Sequence, residues 1–310
     1  MNFLYCLDKN YNYQAILSLY TLNKFSEETH NIFIGHNESK SIAKLINKFS
    51  FNNLNIIFID LKTNLKLPNL KNSHVTEATY YRMLALSNLD LNLDHIIYYD
   101  SDILFNKSPF KLLEKYTKSL LNSQYIICAN TSDVFNSGNN EIDEHLKQLE
   151  IKNKYFNAGV IIFDLNKFRN QNLDSKLMTH LINFNKNAKF WDQDILNTFF
   201  EGKYLELPQT LNNCVELDDK KRKLNEQLSE ITLHFAGKTK PWHIEAFKYP
   251  LGLHFQLIYK EVFKRDFFIR PFSKKRHLKE LLSFIKYNNR YQVQNKIKFL
   301  AISIFRFIKL

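Results

Sequence analysis

The chain has 310 residues, 45% of them hydrophobic and 24% charged, with only six Gly and six Pro and a formal net charge of +12. This is the composition of a globular protein with one large domain and an appendage, built mostly of regular elements. The charge is uneven: residues 274–310 hold ten Lys or Arg against one acid, leaving 33 basic and 30 acidic residues in 1–273. A uniformly basic body suited to nucleic acid is thereby excluded.

Asn2 to Cys6 reads as a first strand, which Asp8, Lys9 and Asn10 interrupt too early for a secretory leader. A helical pattern follows through Ala15, Ile16, Leu19 and Leu22. Asn31–Ile34 reads as a second strand closed by Gly35, residues 38–49 as a helix, and Asn55–Ile59 as a third strand. Glu77–Ser87 has a helical pattern carrying Tyr80, Tyr81, Arg82 and Leu84. A buried strand at Ile96–Tyr99, a helix from Pro109 and a strand at Tyr125–Ala129 come next. Strands alternating with helices at this spacing predict a mainly parallel, doubly wound α/β sheet. The chain has no Gly-x-Gly dinucleotide fingerprint and no phosphate loop, so any nucleotide needs another holder for its phosphates. Cys6, Cys128 and Cys214 share no metal-ligand spacing. Cys6 and Cys128 lie in apolar runs, as reduced cysteines of a cytosolic protein would.

Four clusters carry chemistry. Asp100 and Asp102 follow the buried strand, at i and i+2, and in extended chain would project to one side. Two adjacent carboxylates repel, and a hard divalent cation relieves this. The alternative is turn chemistry ahead of a helix capped by Ser108-Pro109. Tyr155-Phe156-Asn157-Ala158-Gly159 precedes the apolar run Val160–Phe163, where Gly159 permits close backbone approach to a ligand or simply enters a strand. Trp191-Asp192-Gln193-Asp194 opens a helix whose dipole favours early acids. His234, Gly237 and Lys240 gather a metal-competent imidazole with phosphate-compatible groups, or form a surface turn.

In this order, the clusters resemble glycosyltransferase family 8, retaining nucleotide-sugar transferases that include bacterial lipooligosaccharide α-galactosyltransferases. The resemblance covers roughly residues 1–245. It rests on Asp8 and Asn10 after the first strand, Thr79-Tyr80-x-Arg82, Asp100-Ser101-Asp102 and Phe156–Gly159. It also takes in Asp192-Gln193-Asp194-x-Leu196-Asn197 and the closing His234-x-x-Gly237-x-x-Lys240-Pro241-Trp242. The resemblance implies a GT-A type, Rossmann-like, mainly parallel mixed sheet flanked by helices. It assigns manganese, or magnesium in its place, to Asp100, Asp102 and His234, with Ser101 beside them. It places Asp8 and Asn10 on uridine, Lys240 and the Gly237 backbone on the diphosphate, and Arg82, Asn157 and Asp192 on the donor sugar. Gln193, an amide and a poor nucleophile, falls nearest the anomeric face, so Gln193 and Asp192 are the catalytic candidates. His74 and Thr79 fall at spacings that would face the acceptor. Cys6 departs from the small residue common near the nucleotide. The implied activity is transfer of a hexose, galactose favoured, from a UDP-sugar to a lipooligosaccharide or other surface glycan. The alternative within the family is a glucosyltransferase acting on a protein or another glycan.

The tail reads as a basic helical extension, so the expected division is a catalytic domain at 1–273 and a membrane-association segment at 274–310. Its apolar run, Phe299–Phe305 with one Ser, is far shorter than the roughly 20 residues that span a bilayer. Basic helices with Phe and Ile on another face suit an anionic membrane surface, which places the protein at the cytoplasmic face of the inner membrane. The alternative is a terminal helix packed on the body with a solvated basic face. A different class, a basic nucleic-acid-binding protein, would use the tail as its phosphate-contacting arm, but residues 1–273 offer no support for it.

Overall fold

The computed structural model describes residues 1–61, 77–89, 92–132, 140–152, 154–184, 188–219, 222–237 and 239–309. They form two compact units, Met1–Asn212 and Asn213–Leu310.

In the first unit the elements run β1 (Asn2–Leu7), α1 (Asn12–Asn23), β2 (His30–His36), α2 (Ser39–Ile46), β3 (Leu54–Asp60), α3 (Tyr81–Leu86) and β4 (His95–Tyr99). They continue with β5 (Ile103–Phe105), α4 (Phe110–Leu121), β6 (Ile127–Thr131), α5 (Asn140–Gln148) and β7 (Phe156–Asp164). The unit closes with α6 (Leu165–Asn170), α7 (Leu173–Ile182), α8 (Asp192–Phe200) and β8 (Leu205–Glu206). Among the described residues these strands, β5 excepted, form a seven-stranded sheet in the order β3-β2-β1-β4-β7-β6-β8. β3, β2, β1 and β4 are parallel, while β7 runs antiparallel to both β4 and β6. The mainly parallel sheet expected from the alternating pattern is therefore present, and it is mixed, as the resemblance implied.

The chain winds outward from β1 to β3, then returns to lay β4 on the other side of β1. Order reverses between β1 and β4, and in open α/β sheets ligands bind in the crevice beyond the carboxyl ends of strands at such a reversal. Asp8 follows β1 and Asp100 follows β4, so sequence and topology put both at that crevice. β4 is buried from Ile96 to Tyr99 because helices cover both faces, which is why it reads as an unbroken apolar run. The core around it joins Ile96, Tyr98, Ile161 and Phe163 to Met83, Leu177 and Leu196 from α3, α7 and α8.

Two local expectations need correction. Asp100 and Asp102 are not in extended chain: Ile103 N–H donates to the Asp100 carbonyl at 3.3 Å, closing a turn before β5. Ser108 does not cap α4, which starts after Pro109 with no side-chain cap.

The second unit holds α9 (Leu224–Leu228), β9 (Thr232–His234), α10 (Pro250–Phe263), α11 (Lys274–Lys286) and α12 (Lys296–Ile308). Its core joins Ile244, Phe247 and Ile269 to Phe284, Tyr291 and Phe299. The two basic helices thus exist as expected and share a core with residues before 273. Gly252 allows the start of α10 to lie against the 244–248 turn, where a Cβ would come within 2.2 Å of the Ala246 carbonyl oxygen.

Candidate active site

The site of the first unit is built around Arg82. Its position on α3 buries the guanidinium beside the ends of β4 and β7, 6% exposed. One terminal nitrogen donates to the Ala158 carbonyl and the other to Asp100 Oδ1 at 3.0 Å. Nε faces Asp192 Oδ2 at 2.7 Å, an ion pair lying outside hydrogen-bond alignment. The guanidinium carbon sits 4.1 Å from the Tyr98 ring centroid, a cation–π contact. A forked, permanently charged group suits this geometry, since its three nitrogens face three separate acceptors from one rigid plane. Burial opposes the cation, but Asp192, Tyr98 and Asp100 outweigh it and hold Arg82 firmly charged.

Asp100 Oδ1 also accepts from Tyr98 Oη at 2.6 Å. Asp102 and Ser101 are both 7% exposed in the turn, and a carboxylate oxygen of Asp100 lies within 4.8 Å of one on Asp102. Two hard oxygen donors at that spacing, one nearly buried, fit a divalent cation such as Mn²⁺ or Mg²⁺. Asp8 accepts from Asn10 N at 2.8 Å and from Asn10 Nδ2 at 3.0 Å, which makes the two a locked pair after β1. Cys6 is buried, and desolvation pushes its thiol well up, so it behaves as a small apolar group.

The strand–helix pair β7 and α8 holds the rest. Trp191 adopts φ 49° and ψ −120°, a conformation that costs about 1–3 kcal/mol for a residue with a Cβ. The turn it makes brings Asp192, Gln193 and Asp194 into the first turn of α8. Asp192 is raised to about 6: burial dominates, with Arg82 and the Thr79 hydroxyl opposing it. Thr79 Oγ1 donates to Asp192 Oδ1, so this residue braces the donor-sugar candidate. Gln193 is pinned at both ends, Oε1 accepting from Ala158 N at 3.0 Å and Nε2 donating to Tyr155 Oη at 3.1 Å. Asp194 is fully buried; it accepts from Tyr155 Oη at 2.6 Å and Phe190 N at 2.7 Å, and meets His145 Nε2 at 3.0 Å. Burial raises Asp194 and holds the Tyr155 phenol well above its ordinary range, so Tyr155 remains a donor. Asn157 Oδ1 accepts from Gly159 N and from Asn212 Nδ2, both at 2.9 Å. Asn197 extends the strand ladder through its amide, accepting from Phe156 N and donating to the Phe156 carbonyl.

In the second unit His234 is buried on β9, with Nδ1 3.6 Å from Cys214 Sγ. Gly237 is half-buried in the bend that follows. Lys240 Nζ donates to the Phe235 carbonyl and lies 5.9 Å from the Trp242 ring. Lys240 is thus folded onto its own loop. His74 lies outside the described residues.

Within the first unit, then, Arg82 ties Asp100, Ala158 and Asp192 together across four motifs widely separated in sequence. Sequence reasoning gave no role to Tyr98, Tyr155, His145 or Asn212. Tyr98 had a signal, since it stands two residues before Asp100. His145 had none, because 49 residues separate it from Asp194.

An α/β sheet of this order, with Asp-x-Asp at its reversal and a pinned Asp-Gln-Asp helix start, is that of a GT-A type glycosyltransferase. The chain belongs to glycosyl transferase family 8, whose family model matches residues 2–246. It is 31% identical over 212 residues to lipopolysaccharide 1,2-glucosyltransferase of Escherichia coli K12, covering 66% of this chain and 60% of that enzyme. A second Escherichia coli lipopolysaccharide 1,2-glucosyltransferase is 26% identical, covering 92% of this chain and 85% of the relative. Among solved structures, galactosyltransferase LgtC with donor and acceptor sugar analogues superposes with TM-score 0.56 at 16% identity, covering 84% of this chain and 96% of LgtC. The bifunctional glycosyltransferase WbbM gives TM-score 0.64 at 20% identity, covering 86% of this chain and about half of WbbM, 51%.

Proposed function

We propose that this protein is a metal-dependent, retaining hexosyltransferase that moves a hexose from a UDP-sugar to a lipopolysaccharide acceptor at the cytoplasmic face of the inner membrane. The observation that carries the reading is the Arg82 node, which places the Asp-x-Asp acid, the β7 entry and Asp192 around one cation. Family membership favours a transferase over a nucleic-acid-binding protein. Both named relatives at 26–31% identity are glucosyltransferases, whereas LgtC, at 16%, speaks for the fold alone. Glucose therefore replaces galactose as the favoured sugar.

Asp100 and Asp102 would hold the cation, with His234 as the third ligand. When bound, the metal supplies charge neutralisation to the donor diphosphate and to the departing UDP. Asp8 and Asn10 would bind the uracil, and Lys240 would leave Phe235 to reach the phosphates, joined by the Gly237 backbone. Arg82, Asn157 and Asp192 would hold sugar hydroxyls. Gln193 cannot act as a strong nucleophile, and its carbonyl already accepts from Ala158. In this reading it presents a fixed dipole under the anomeric carbon, a preorganised electrostatic role. The acceptor would then attack on the face that UDP leaves, with His74 nearby and Thr79 acting through Asp192.

Residues 274–310 form the membrane-facing part of the second unit in this reading, a functional division that need not be a separate fold. α12 exposes Ile297, Ile304, Phe305 and Ile308, while Phe299 and Ser303 on its opposite side are buried. No helix among the described residues is long and apolar enough to cross a membrane. Surface docking would concentrate the enzyme where a lipid-linked acceptor lies.

The test is a screen of UDP-glucose and UDP-galactose for manganese-dependent hydrolysis, then transfer to core glycolipid with NMR of the new anomeric proton. We expect UDP-glucose to be preferred and an α-linkage from the α-linked donor. A β-linkage would overturn retention, and metal-independent turnover would overturn the cation's role.

A further inference from the structure

A cavity of about 490 Å³ opens beside the first two turns of α11, lined by Lys248, Lys275, Arg276 and Lys279 together with Glu245 and Glu280. Two of the four cations are already matched. Lys248 meets Glu280 at 2.6 Å, and Arg276 pairs with Glu245. Lys275 and Lys279 stand one helical turn apart and exposed, and among the described residues no ion pair engages either. The lining therefore holds four positive and two negative groups, a surplus of two charges directed at an open volume. A phosphomonoester carries about −1.5 to −2 at neutral pH and three acceptor oxygens, which matches that surplus. Neighbouring ammonium groups repel one another, so an anion between them is stabilising.

The surroundings indicate where such a phosphate would come from. Lys275, Lys279 and Lys286 form one row along α11, and Leu278, Leu282 and Ile285 form the adjoining row by helical spacing. Those three apolar residues are 40%, 57% and 55% exposed. An apolar row beside a lysine row is the arrangement of a helix lying in a membrane interface, with acyl chains on one side and headgroups on the other. Arg276 and Glu280, which line the cavity, lie by helical spacing on the side of the lysine row away from the apolar one.

We propose that this cavity binds the phosphomonoester headgroup of an anionic membrane lipid, with Lys275 and Lys279 as its principal contacts. The proposal rests on the reading that residues 274–310 meet a membrane. It adds a specific headgroup site to what would otherwise be diffuse charge attraction.

The experiment uses the full chain and phosphatidylcholine vesicles doped either with phosphatidic acid, a phosphomonoester, or with phosphatidylglycerol at matched surface charge. Lys275→Gln/Lys279→Gln is compared with Lys286→Gln/Arg306→Gln, which removes the same charge from α11 and α12 outside the cavity. Wild type should bind phosphatidic acid vesicles about tenfold more tightly than phosphatidylglycerol vesicles, the scale of one good charge-assisted contact. The cavity variant should lose that preference, and the control should keep it while binding both vesicles more weakly. Equal binding of the two lipids by wild type, or a preference surviving in the cavity variant, overturns the site but leaves membrane docking standing. Absence of binding to any anionic vesicle overturns the docking reading itself. Soluble glycerol phosphate that binds as tightly as the vesicles reassigns the site to a free phosphate ester and also overturns the lipid proposal.

Discussion

Arg82→Met is the most informative perturbation, because it keeps the bulk of the side chain and removes the charge between two carboxylates. Breaking a buried ion pair by deleting one partner costs about 3–5 kcal/mol, since the other charge is left without compensation. Here the stranded group is Asp192, 5% exposed and raised to about 6 even with Arg82 beside it. A carboxyl raised on folding contributes stability that is fully present below its unfolded value, 3.8, and is lost as pH rises to the folded value. In wild type that loss ends near pH 6. In the variant Arg82 no longer holds Asp192 down, so the loss continues to higher pH, by up to about 1.4 kcal/mol per pH unit. Urea unfolding from about pH 5 to about pH 8 should therefore show a stability gap that widens above about pH 6. Adding Asp192→Asn should abolish the widening, because no carboxylate remains to ionise, while leaving the enzyme inactive. A gap independent of pH, or a widening that survives Asp192→Asn, would refute the assignment of Arg82 as counter-charge to Asp192.

Asp100→Asn and Asp102→Asn should each abolish transfer and weaken UDP-sugar binding in manganese, by calorimetry, with an unchanged circular dichroism spectrum; near wild-type activity in either would sink the metal assignment. Tyr155→Phe removes the donor to Asp194 and the acceptor for Gln193, so kcat should fall about tenfold with donor KM little changed, the signature of a misplaced group met only in the transition state. A rise in KM at constant kcat would place Tyr155 in binding instead. Ile304→Ser/Ile308→Ser should weaken vesicle binding without affecting UDP-sugar hydrolysis, whereas Phe299→Ala should unfold the second unit at about 3–5 kcal/mol lower stability. Equal vesicle binding by the serine variant would show that the exposed row meets something other than lipid.

The sequence alone determined the alternating strand–helix order, the buried β4, the acids at its end and the existence of α11 and α12. Each of these is a local periodic or end-of-element signal, and local signals are written in neighbouring residues. The resemblance likewise marked Arg82, Asp192 and Gln193 through motif order. Only tertiary structure decided what those residues do to one another. Asp192 is a braced, raised carboxyl because Arg82 and Thr79 arrive from α3 and the turn before it, more than a hundred residues upstream. Gln193 is hydrogen-bonded at both ends because Tyr155 and Ala158 of the β7 region meet α8. The Asp-x-Asp geometry also escaped the sequence: an i, i+2 pair in extended chain and the same pair in a turn are spelled identically. The tail shows the same limit from the other side. Its apolar residues all read alike in sequence, but Phe284, Tyr291 and Phe299 are drawn into a core with Ile244 and Phe247, while Ile297, Ile304 and Ile308 are left outside. Burial is decided by which partner surface a helix face meets, and a sequence carries no coordinate for its partner.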